Sequence, residues 1–139
     1  MRSLAEIGAL LDVRDGAGAP PAERARALLG AGEEVIENWL VAHGQEPTQG
    51  ESEGFRLLAL HRQGAKGDPS FNACRETCRE LVYHYNVIMG APEGVDAEGR
   101  ATMMHFVLNH LYLFITGKME VSGLGEFCCS SRALRSQSA

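Results

Sequence analysis

No stretch of this 139-residue chain is apolar for long enough to span a bilayer. Its most apolar run, residues 103–115, is interrupted by His105, Asn109 and His110. The opening segment MRSLAEIGALLDVRDG is broken by Glu6 and Asp12 and lacks the apolar core and cleavage site of a signal peptide, which predicts a cytoplasmic protein. There is no basic surplus either. A net charge of −5 and a pI near 5.5 argue against a nucleic-acid partner, which needs clustered cations to displace counterions from phosphate. A nucleotide-binding glycine loop is missing too, because GAGEE at 30–34 has no lysine followed by serine or threonine. The Glu-x-x-His pairs of di-iron bundles are also absent: Leu40, Leu58, Leu81, Thr102 and Val107 stand three residues before the five histidines. No C-x-x-C motif, internal repeat or clean period-two alternation occurs.

What remains is helical spacing over almost the whole chain, which predicts an all-α fold. The expected architecture is one domain over residues 1–139. It is a compact bundle of four main helices with a short N-terminal helix and an irregular tail from 118 to 139, frayed at its end. Ser3 and Glu6 form a capping box for the short helix. Pro20 or Pro21 suits the first turn of the second, whose seam runs Leu28, Gly32, Val35, Trp39, Ala42. Gly30 and Gly32 mark a kink, a break or a close approach within it. Thr48 and Glu51 offer a capping box for the third helix. Asp68 and Pro69 open the fourth, which continues to Gly90. The fifth covers roughly 97–116, with Gly117 as its stop, and its nearly all-round apolarity places it at the centre of the bundle or at a dimer interface.

The fourth helix carries the clearest candidate chemistry. Phe71, Cys74, Cys78, Leu81, Tyr85 and Ile88 make one continuous stripe, with Arg75, Glu76, Arg79 and Glu80 on the other side. Both sulfurs therefore point inward. Such a stripe accounts for them as small core hydrophobes. It also fits a shared ion, because side chains four apart on a helix have β-carbons about 5–6 Å apart, wider than a disulfide prefers. Two thiolates need further ligands, and the tail supplies Cys128 and Cys129, of which an extended backbone turns one towards a given site. Zinc, copper(I) and an iron–sulfur cluster are all compatible with thiolate ligands. In a reducing compartment four cysteines do not imply disulfides, and an exposed adjacent pair is prone to oxidation.

Thr102, His105, Asn109, Tyr112 and Thr116 form a polar stripe on the fifth helix, either its one face towards water or the lining of an internal pocket. His110, beside Phe106 and Phe114, is the imidazole best placed to complete a metal site. His84 flanks the cysteine stripe one turn beyond Glu80, while His43 and His61 fall near helix ends, where a cation favours the dipole. Glu33, Glu34 and Glu37 have the chemistry of general acids or bases, but a solvated helix face explains them more cheaply. Three function classes follow, in descending order. The first is a small accessory or regulatory protein with a cysteine-based metal or thiol-redox site. The second is a metal-free helical module that docks a protein partner or its own copy as a homodimer. The third is an enzyme with a histidine- or cysteine-lined pocket, ranked last because nothing in the sequence orients a Cys–His pair.

Overall fold

The structure, a computed structural model, describes residues 1–13 and 19–123. Within them the chain is all-α: five α-helices and one 3-10 segment, with no strand. The helices are α1 (Leu4–Asp12), α2 (Pro21–Ala42), α3 (Arg56–Gly67), α4 (Arg75–Gly90) and α5 (Ala97–Val121), and the 3-10 turn Pro69–Cys74 leads into α4. Among the described residues no helix is long and apolar enough to cross a membrane.

Local chemistry explains most of the boundaries. The capping box of α1 is formed in full, Ser3 Oγ accepting from Glu6 N and Glu6 Oε1 accepting from Ser3 N. Pro20 at φ −60° and Pro21 pre-set the first turn of α2. That helix passes Gly30 and Gly32 without a break, and Gly32 is where the side chains of Leu57, Leu81 and Leu108 from three other helices converge. The expected capping box of α3 does not form. Thr48 Oγ1 instead accepts from Gly50 N, and α3 starts at Arg56 with no side-chain cap. Arg56 replaces it as the local tie, donating to Thr48 O at 2.9 Å and pairing with Glu37 and Glu33. Asp68 does cap the next segment, accepting from Ser70 N at 3.1 Å, yet the residues it opens are 3-10 and not α-helical.

The expectation that α5 occupies the centre is corrected by its packing. Its inner face (Ala101, Met104, Leu108, Leu111, Ile115 and Met119) is buried against α2 and α4, whereas Met103, Phe106 and Leu113 point outward and are exposed. α2 touches all four other helices. Gly117 does not stop α5, since a glycine within a long packed helix costs only about 1 kcal/mol against alanine; the helix runs on to Val121, so residues 118–121 are helical and not tail.

α1 is fastened to this frame by polar contacts. Asn38 Nδ2 donates to Arg2 O at 2.9 Å, and Arg2 pairs with Glu34. Tyr112 lies across Gly8 so closely that a β-carbon there would sit 2.3 Å from the phenol oxygen. Gly8→Ala is therefore expected to lift α1 off α5 and to cost on the order of 1–3 kcal/mol, read by urea unfolding. Tyr112→Phe, which removes that oxygen, should recover part of the loss in the double variant.

Candidate functional site

Phe71 organises the site. It sits in the 3-10 turn with no exposed surface, its ring stacked on His61 (centroids 5.4 Å apart) and tilted against Trp39 (5.2 Å). Gly64 on α3 makes the space: a β-carbon there would meet the ring at 2.7 Å. The same residue's carbonyl takes up two buried groups. His61 Nε2 lies 3.0 Å from Phe71 O, so that nitrogen carries hydrogen, and the Cys74 sulfur lies 3.2 Å from the same oxygen, to which it donates only while protonated.

One turn into α4, Cys78 joins them. Both cysteines are buried and free, and both face inward as the stripe predicts. Their environments split the two thiols. Cys78, donating its S–H to Cys74, stabilises a thiolate there; burial opposes this, and His61 adds a hydrogen bond and its charge, so the Cys74 thiol is lowered to about 6. Cys78 moves the other way. Its role as donor to Cys74, its burial and the negative charge beside it hold its proton well above the usual thiol range. Chemically this is a nucleophile with a second thiol and an imidazole at hand.

The other candidate residues are placed elsewhere. Among the described residues no group of three or more His, Cys, Asp or Glu side chains could hold a metal ion, and Cys128 and Cys129 lie outside the described residues. His110 is exposed on the outer side of α5, turned away from the buried face, so it is not the imidazole of the cysteine site. That place belongs to His61. The helix-end reading missed it, but Leu57, His61 and Gly64 share one face of α3 at helical spacing, and this puts the imidazole on the buried side. His84 is 5% exposed, with Nε2 3.9 Å from Glu80 and Nδ1 without a hydrogen-bond partner among the described residues. Burial lowers its pKa, and the Arg100 charge adds to this.

Two residues of the polar stripe on α5, His105 and Tyr112, form the seat of α1. His105 bonds Leu11 O at 3.1 Å, Tyr112 covers Gly8, and Thr116 and Thr102 bond back to carbonyls of their own helix. Asn109 is half-buried beside them. Burial keeps the Tyr112 phenol protonated above its ordinary range, helped by Asp12. A cavity of about 360 Å³ does reach His105, but Ile7, Leu11, Leu28, Ala31 and Leu108 make it apolar and no cysteine lines it. Glu33, Glu34 and Glu37 are tie points for Arg56 and Arg2, more buried than a solvated face implies. Comparison with family models, curated proteins and solved structures returned no match to this chain.

Proposed function

We propose that this protein is a small accessory or regulatory protein acting through a thiol-redox site, with Cys74 as the reacting sulfur and Cys78 as the thiol beside it. One observation carries the reading. His61 of α3 and Cys74 at the end of the 3-10 turn share the Phe71 carbonyl, and Cys78 of α4 lies beside Cys74 in the same buried cluster. A core that merely needed volume has no use for an imidazole set beside two thiols. In the reducing cytoplasm the pair rests as thiol and thiolate. A metal version of the site would need ligands beyond these, so metal content of the freshly purified protein is measured alongside.

The test is alkylation by iodoacetamide as a function of pH, read by mass spectrometry at the Cys74 peptide. The rate for Cys74 should reach half its plateau near pH 6 and fall below that. Cys78→Ala removes the largest stabilising bond and should shift the midpoint upward by at least one pH unit. A midpoint near the ordinary value of 9.0 in the native protein refutes the reading.

A second reading, a docking module for a protein partner or for another copy of the chain, draws support from Met103, Phe106 and Leu113, each at least half exposed on the outer face of α5. Sedimentation of the wild type beside Phe106→Asp separates self-association from a monomer.

A further inference from the structure

Four of the chain's 13 Lys and Arg residues line one groove, although the chain as a whole is acidic. The groove lies between α3 and the start of α4 and holds about 510 Å³. Arg62 and Lys66 come from α3, Arg75 and Arg79 from α4, and His61 belongs to its wall. Arg79 is neutralised by Glu53 at 2.9 Å, the one acid in the lining. Among the described residues Arg62 bonds a serine hydroxyl, Ser52 Oγ at 3.3 Å, the charges of Arg62 and Arg75 reach Glu53 only at longer range, and neither Lys66 nor Arg75 has an ion pair. Arg75 is the first residue of α4, where the helix dipole disfavours a cation.

We propose that this groove binds a small carboxylate-bearing disulfide and presents it to Cys74, an inference that rests on the thiol reading above. His61 belongs at once to the groove wall and to the cysteine cluster, and Asn72 and Arg75 flank Cys74 in sequence and line the same groove. Cys74 itself is 1% exposed and ends a 3-10 segment, the less well-bonded form of helix. In the step itself the Cys74 thiolate attacks one sulfur of the bound disulfide. A protein–ligand S–S bond forms and the ligand's S–S bond breaks. The departing thiolate leaves with its electron pair and takes a proton from water. The carboxylates stay on Arg75, Lys66 and Arg62 throughout.

The experiment compares glutathione disulfide, a net anion, with cystamine, a net cation, on the full chain at pH 7.5. Thiolation of Cys74 is followed by peptide mass, and each rate is divided by that of the same cysteine in urea. The native ratio of anionic to cationic reagent should exceed the unfolded one by about tenfold, and high salt should shrink it. In Lys66→Gln/Arg75→Gln the ratio should fall to near one, and because it is a ratio, any change in thiol reactivity cancels. Equal normalised rates in the wild type, with iodoacetamide still labelling Cys74 quickly, would overturn the groove and leave the thiol reading standing. A Cys74 inert to iodoacetamide and to both disulfides would overturn the two together.

Discussion

Phe71→Ala should lower stability by about 3–5 kcal/mol, the range for deleting a large aromatic from a closed core. For a chain of this length that corresponds to a drop in Tm of about 10–17 °C. The size follows from what the ring touches. It has no exposed surface, and it meets Trp39, His61 and Phe114 on different sides. Collapse around the hole is hindered because Trp39 is itself fixed by its ring contact with His43, 4.0 Å between centroids, and by Lys118 above it. The variant also separates packing from chemistry. Its backbone carbonyl is still present, but His61 loses the surface it stacks on, so iodoacetamide labelling of Cys74 should need a higher pH. Phe71→Leu should recover part of the stability and less of that pH shift, because leucine restores volume without a flat face. A loss below about 1.5 kcal/mol for the alanine variant would show that the ring does not anchor this core.

Why the site was half legible in the sequence follows from the same residues. Spacing along one helix is a local property, so the inward turn of Cys74 and Cys78 could be read from three-four alternation. The partnership with His61 could not. It depends on the bend at Asp68–Pro69, which brings α3 back alongside α4, and on Gly64, whose missing side chain lets Phe71 lie over α3. Nor could spacing tell that the residues up to Cys74 are 3-10, which takes that cysteine off the regular α-helical register with Cys78. The polar stripe of α5 is legible only in part, because spacing on one helix does not show that α1 covers His105 and Tyr112 while Thr102 stays exposed. Similarly, the outward apolar residues of α5 look central in sequence because periodicity records composition, not which faces find neighbours.

The largest pH effect should come from the same sulfur, and its sign is fixed. Folded, Cys74 gives up its proton at about 6; unfolded, it does so near the ordinary 9.0. Between those values the unfolded chain holds a proton that the folded chain has released, so stability rises with pH across the window. The contribution is complete above the unfolded value and is lost as pH falls through about 6. Three units at about 1.4 kcal/mol each bound it at roughly 4 kcal/mol. Cys78 acts oppositely: it keeps its proton when folded, so stability falls again once the pH passes the ordinary thiol value. The two thiols titrate as a pair, which places the maximum near the upper end of the window. His84, pushed down by burial, loses stability as pH drops below its ordinary 6.5, and so steepens only the acid side. Urea unfolding under reducing conditions at pH 6, 7, 8 and 9 reads the effect directly. The wild type should gain on the order of 2–4 kcal/mol across that range. Cys74→Ala should lose most of this rise, whatever its absolute stability, keeping only the small acid-side slope of His84. If the wild type were as flat as the variant, Cys74 would be an ordinary buried thiol and the cluster around Phe71 only packing.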